Sequence, residues 1–468
     1  MAEGAHHSSE MWVFPRAPEV TEFVTRKTFS MPRAITLALL VSGALLVLGV
    51  IGFIIKAAQA GFSDHAPWGY YAAMFSFVFM VTSTGPLAAA AFRITKSHWR
   101  RPLSRVSEIF GIVGVFNILL YIPLAIVLPS LNNPEITGHE LDVRRSIWFE
   151  GPIGSPFWWD LFGIIFLAVN AVALLWVSAL PDMAEARQRA TGWRLTLYGM
   201  LAGCWHGTKR QWIVQKALLA MLGAWYFMLL IFIHFTISSD YAQSMIPGWK
   251  DSIFPVIYSL SGFQSALGLI LIIMFILRRF GGYQEYIGIS PFWSASKLLL
   301  AFSLLWCYHM FAFGITYWYG RLEVEQNILK YLLFQSYGGV FAGNFFFSFV
   351  MPFLVLLWNP VRKSDWGPAL AGASALIGAF LFNIRIFVGS FNAGHIYGEF
   401  LDTVPPPVFP GFSDILIVIG GIGGAAFVYL LATRLIPVIS LWELKEGLLY
   451  QRMGTFIRGR YLVLAKPE

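Results

Sequence analysis

Ten long apolar runs, separated by short polar loops, leave this chain one kind of environment in which to fold. A helix that crosses a bilayer needs roughly 20 apolar residues. Runs of that size fall at about 34–56, 69–93, 106–129, 157–180, 213–236, 253–278, 294–320, 330–358, 367–391 and 412–437. Prolines at 102, 181, 291 and 360 punctuate segment ends, as helix starts and stops do. Only 12% of the 468 residues are charged and 57% are hydrophobic, about half the charge of a soluble globular chain. The sequence therefore reads as an all-α polytopic membrane protein with about ten transmembrane helices. Residues 1–33 form an N-terminal arm, 34–437 the transmembrane domain and 438–468 a C-terminal tail. Helices 2–5 and 6–9, counted in chain order, are expected to make two four-helix bundles flanked by helices 1 and 10.

The basic residues orient this array. Arg16, Arg26, Lys27 and Arg33 precede helix 1, and Lys96, Arg100, Arg101 and Arg105 follow helix 2. Arg187, Arg189, Arg194, Lys209 and Arg210 follow helix 4, Arg278 and Arg279 helix 6, and Arg362 and Lys363 helix 8. Lys445, Arg452, Arg458, Arg460 and Lys466 occupy the tail. These are alternate loops on one side, which the positive-inside rule places in the cytoplasm together with both termini. The net charge of +8 is thus spread over loops and does not point to nucleic acid. The opposite loops, 130–156 and 392–411, are rich in aromatic residues, Pro and Gly, and read as structured or interfacial. The start, MAEGAHHSSEMWVFPRAPEV, has no signal-peptide core. The tail mixes helical and extended patterns and is expected along the membrane surface.

Several chemistries are excluded or weakened. Cys204 and Cys307 form no CxxC or CxxCH pattern, so covalent haem and cysteine-bound clusters are ruled out within this chain. A b-type haem would need facing histidines at matched depth, and His234 and His309 fall at different depths. A transporter would show helices broken by Gly or Pro at corresponding positions of two halves, and these are missing.

Polar residues within the apolar runs carry what chemistry remains, because each is costly in hydrocarbon. Asp160 opens helix 4, and His234 and Asp240 close helix 5, all toward the outer side. Asn117 and Tyr121 share a face of helix 3 at i, i+4 spacing. Ser83 and Thr84 lie in mid helix 2, and Glu108 one turn inside helix 3. His309, Asn344, Asn383, Arg385 and Asp414 are the corresponding residues of the second half. Each has a plainer reading. Glu108 could pair with Arg105 or cap its helix, and Asp160 and Asp414 suit a helix's first turn. His309 could be a packing residue, whereas Arg385 must find an acceptor or water.

Several segments, in order, resemble the NrfD/polysulfide-reductase-type membrane subunits, and within them the ten-helix subunits of alternative complex III. They are PWGYYAAMFSFVFMV, HWRRPLSRVSEIF, SPFWWDLFG, HFTISSDYAQSMIPGWKDSIFP, RRFGGYQEYI, FNIRIFVGSF and FSDILIVIGGIGG with RLIPVISLWELKE. The resemblance spans nearly the whole chain. It implies a subunit of the bacterial cytoplasmic (inner) membrane in a respiratory or photosynthetic quinol:acceptor oxidoreductase, with no redox centre of its own. Quinol or quinone (menaquinone or ubiquinone) would bind within helices 2–5 toward the periplasm. The implied partners are a periplasmic iron–sulfur subunit, c-type cytochrome subunits and a second NrfD-like subunit. Under this reading Asp160 is the proton acceptor, with His234, Tyr121, Ser83 and Asn117 around the quinone. Glu108, Asp240, His309, Arg385 and Asp414 form the proton path. One departure matters: Ser83 or Thr84, and Ile126, stand where quinol-oxidising members carry histidines. Two readings stay open, a divergent quinone site or a paralogous structural, proton-conducting subunit that binds no quinone.

Overall fold

A computed structural model describes residues 17–129, 155–394, 396, 400–456 and 459–464. In hydrocarbon every backbone N–H and C=O must be satisfied within the protein, which leaves the apolar runs only helix. Among the described residues ten helices are long and apolar enough to span: Arg33–Ala60, Ala66–Ile94, His98–Val127, Trp158–Arg187, Lys209–Met245, Phe254–Arg279, Ser290–Gly320, Gly338–Leu357, Trp366–Phe391 and Phe412–Leu435. They are helices 1–10.

The two expected bundles are present. Helix 2 packs on helices 3 and 5, helix 3 on helix 4, and helix 4 on helix 5. Helix 6 packs on helices 7 and 9, and helix 8 on the same two. Helix 2 joins the bundles by lying against helices 6 and 9. Helices 1 and 10 do not bracket this core from opposite ends. They form one pair, and helix 10 holds that pair against helices 2 and 3.

Close backbone approach explains the pairing. A Cβ on Gly49 would stand 2.5 Å from the Cα of Gly420. Association of helices in lipid relies on such contacts, because burying apolar surface from lipid gains little. Gly268 and Gly372 bring helices 6 and 9 together in the same way, each added Cβ falling 2.8 Å from the other residue's Cα.

Helix 4 is longer than its apolar run. Pro181 was expected to end it, yet the helix continues to Arg187. A proline inside a helix frees the carbonyl four residues earlier. Here that carbonyl, on Val177, accepts from Gln215 Nε2 of helix 5 at 3.1 Å. Helices 8 and 9 contain π-helical turns at Phe346–Val350 and Ile384–Val388. The carbonyls of the first are taken from outside: Ser374 Oγ donates to Phe347 O at 2.8 Å, and Gln264 Nε2 donates to Ser348 O at 2.5 Å.

Both described chain ends lie on one face, as ten crossings require. A surface helix, Ala17–Phe29, meets the C-terminal helix Leu441–Leu449 there. An antiparallel hairpin follows, with Gln451 opposite Leu464 and Phe456 opposite Gly459. On the other face the loop after helix 9 is tied down, with Asn327 Nδ2 donating to Leu401 O at 2.8 Å and the Tyr70 hydroxyl to Val408 O at 2.9 Å. The 130–156 loop, up to residue 154, lies outside the described residues.

Gly420→Leu is expected to wedge helix 1 off helix 10 and cost about 1–3 kcal/mol, read as a lower thermal midpoint in detergent. Gly314, whose added Cβ meets nothing within 4 Å, supplies the control. Gly314→Ala should leave the midpoint unchanged or slightly raised.

Candidate functional site

The basic face carries a buried ionic network that ties four parts of the chain together. Arg93, in the last turn of helix 2, pairs with Glu108 of helix 3 and donates through Nε to Glu443 Oε1 of the C-terminal helix at 2.8 Å. Glu108 also takes Arg105 Nε at 3.2 Å and the Ser178 hydroxyl at 2.8 Å. Arg105 Nη2 reaches Asp182 Oδ2 of helix 4 at 2.9 Å. Asp182 Oδ1 accepts the Trp442 backbone N–H at 2.9 Å. Arg100 Nη1 adds a second cation to Glu443 Oε1 at 2.8 Å. Three guanidiniums thus face three carboxylates, and all six residues but Arg93 are buried, Arg93 nearly so.

Burial by itself would push the Glu443 carboxyl up. Arg100 and Arg93 outweigh that and hold it down at about 2. The plain reading of Glu108, a pair with Arg105, is what is found, within a larger network. Arg93, Asp182 and Glu443 gave no signal of their own in the sequence. A buried guanidinium and a loop arginine read alike, and LWELKE reads as an ordinary amphipathic turn.

The first bundle holds the expected site residues in two groups. His234 is fully buried, with Nε2 3.3 Å from Ser83 Oγ and its ring edge-on to Phe79 and Tyr258 at 5.9 and 5.2 Å. The Ser83 carbonyl accepts from the Tyr226 hydroxyl. The Tyr121 hydroxyl accepts from that of Tyr241 at 2.8 Å, and Asp160 and Asp240 both lie within electrostatic reach of it. Both carboxylates are buried and neither is isolated. Asn117 shares a helix face with Tyr121 but serves another partner, donating to Thr82 Oγ1 at 2.9 Å.

Beside Ser83 and Asn117 lies a void of about 10 Å³, walled also by Tyr226, Phe79, Phe110 and Gly111 among others. That is room for one water. A quinone ring does not fit it, and of the expected quinone set only Ser83 and Asn117 reach its wall.

The second bundle separates the remaining candidates. His309 lies on the outward flank of helix 7 beside exposed Tyr308 and Phe311, and its Nδ1 pairs with the Leu305 carbonyl of its own helix at 2.8 Å. It does not face His234. Asp414 takes the plain role expected at a helix start, accepting the Gly411 N–H at 3.0 Å, and pairs with Lys56 of helix 1 at 2.9 Å. Asn344 donates to Gly378 O at 2.9 Å and Ser348 Oγ at 3.0 Å, and Gln264 to Ser303 Oγ at 2.7 Å.

Arg385 differs from all of these. It is 1% exposed, and among the described residues neither a carboxylate nor a hydrogen-bond acceptor reaches it. Its guanidinium sits 5.0 Å from the Phe341 ring centre and 5.5 Å from that of Phe382. Such contacts supply about 2 kcal/mol when desolvated, against a burial cost of several kcal/mol per ion.

The chain matches no protein-family model and no curated protein.

Glu443 sets a pH test. Its folded value of about 2 lies below the ordinary 4.5, so its contribution is complete above about 4.5 and is lost as pH falls toward 2. Acidification below that window should release the C-terminal helix, seen as faster proteolysis of the tail. Glu443→Gln should lose on the order of 3 kcal/mol at neutral pH and flatten the acid dependence.

Proposed function

We propose that this chain is a multi-pass subunit of a quinol-linked electron-transfer complex in a bacterial cytoplasmic membrane, and that its own task is to hold and relay protons through helices 2–5. The class of complex rests on the motif segments given above, of which SSDYAQSMIPGW and the SPxxWD opening are the most specific. The task rests on one residue. Ser83 both bonds His234 and lines the water-sized void, whose wall also takes in Phe110 and Gly111, the residues two and three positions after Glu108 on helix 3.

A hydroxyl both donates and accepts, so a proton arriving at His234 has a next carrier in Ser83 and then in a water within the void. Asn117 and Thr82 hold the polar wall of that water in place. Glu108 stands further along helix 3, paired with Arg93 and Arg105. No step here needs a quinone, and the void is too small to take one. This reading is the paralogous, proton-conducting subunit, with the iron–sulfur, cytochrome c and second NrfD-like subunits as its partners in electron transfer.

One observation favours the second reading, a quinone site at the periplasmic end. The buried acids Asp160 and Asp240 gather there around Tyr121 and Tyr241, and a carboxylate suits a group that must accept a proton at turnover.

One experiment separates the two. In the assembled complex in liposomes, Ser83→Ala should cut coupled proton uptake about 10²-fold, the low end for losing a positioned proton-transfer group, while electron transfer continues. Asp160→Asn should leave quinol-dependent turnover unchanged. Collapse of turnover in Asp160→Asn with normal proton uptake in Ser83→Ala would transfer the assignment to the quinone site.

A further inference from the structure

We propose that Arg385 is the core of a buried site for a monatomic anion, a halide, in the second bundle. The proposal is independent of the proton reading, which uses only the first.

A guanidinium keeps its charge in a protein interior, so the bundle must supply a counter-charge or admit one. The other deeply buried arginines show how this protein meets that need internally. Arg93, Arg100 and Arg105 each pair with a carboxylate at the basic face. Arg385 has no such partner among the described residues, and its Nε has no acceptor. Phe341 and Phe382 cover it with ring faces, which attract the cation without neutralising it.

Beside it is a void of about 10 Å³ walled by Arg385, Trp249, Met310, Phe313 and Phe382 among others. The polar side-chain groups of that wall are donors. Trp249 Nε1 has the Tyr317 hydroxyl beside it as its near partner, outside full hydrogen-bond geometry, and that hydroxyl itself donates to the Lys250 carbonyl at 3.1 Å. A water needs acceptors for its own hydrogens as well as donors. A halide asks only for donors and brings the missing charge. The space is of one-water size, and the flexible Met310 thioether is the wall element that can yield to a slightly larger ion. The π-helical turn Ile384–Val388 carries Arg385, a distortion frequent at functional sites.

The test uses the full-length purified protein. Its thermal midpoint is measured in sodium chloride, bromide and gluconate at matched ionic strength, for wild type, Arg385→Lys and Arg385→Met. Bromide-containing crystals of the wild type are examined at the bromine absorption edge. Binding to the folded state alone raises the midpoint saturably with ligand. Wild type should melt a few degrees higher in either halide than in gluconate. Arg385→Lys should show a weaker response and Arg385→Met none, and an anomalous peak should lie beside the Arg385 guanidinium. A halide response that persists in Arg385→Met overturns the site. So does a wild type indifferent to the salt and without a bromide peak there. If Arg385→Met does not fold, the wild-type bromide map decides by itself.

Discussion

A charge taken into hydrocarbon must be neutralised where it stands, and this requirement organises the protein more than any single apolar contact. At the basic face Arg93, Arg100 and Arg105 meet Glu108, Asp182 and Glu443, so that the ends of helices 2, 3 and 4 and the C-terminal helix are held by one set of ion pairs. Taking one member away leaves an uncompensated buried charge, a far larger loss than the net gain from making the pair. The register of four elements therefore depends on charge balance. Tail docking follows from the same rule, because Glu443 enters only where two guanidiniums await it.

Backbone groups obey the parallel rule. Where Pro181 and the π-helical turns interrupt the regular ladder, side chains of neighbouring helices take the freed carbonyls: Gln215 on Val177, Ser374 on Phe347, Gln264 on Ser348. These bonds cross between helices, so each local irregularity becomes a point of attachment. Glycine pairs do the rest. Gly49 with Gly420, and Gly268 with Gly372, allow backbones to touch where side chains of ordinary size would hold them apart.

The two halves put their polar residues to different uses. In the first bundle Ser83 bonds His234 and Asn117 bonds Thr82, and Ser83 and Asn117 share the wall of a water-sized space. In the second, Asn344, Gln264 and the serines bond backbone and each other, and Arg385 is left with aromatic faces. Similar inventories of residues in two similar bundles thus give two hydrogen-bonded pairs in one and an unpaired cation, among the described residues, in the other.

Hydropathy and the spacing of basic residues determined the number of spans and that the basic loops gather on one side. Those properties belong to single helices and to the cost of moving them into lipid, so they are written locally. The polar residues of interest were also visible, since each stands out in an apolar run. His234 meets Ser83, and Tyr121 meets Tyr241 within reach of Asp160. What each meets was not visible. Asn117 turns to Thr82 rather than to its helix-face neighbour Tyr121, His309 to its own backbone on the outward flank, and Asp414 to Lys56. Helix 1 paired with helix 10, and Arg93 with Glu443 350 residues away, only through tertiary packing. Rotation of a helix about its axis decides whether a side chain faces lipid or a neighbour. That angle is set by the helices it packs against, which a linear pattern does not specify.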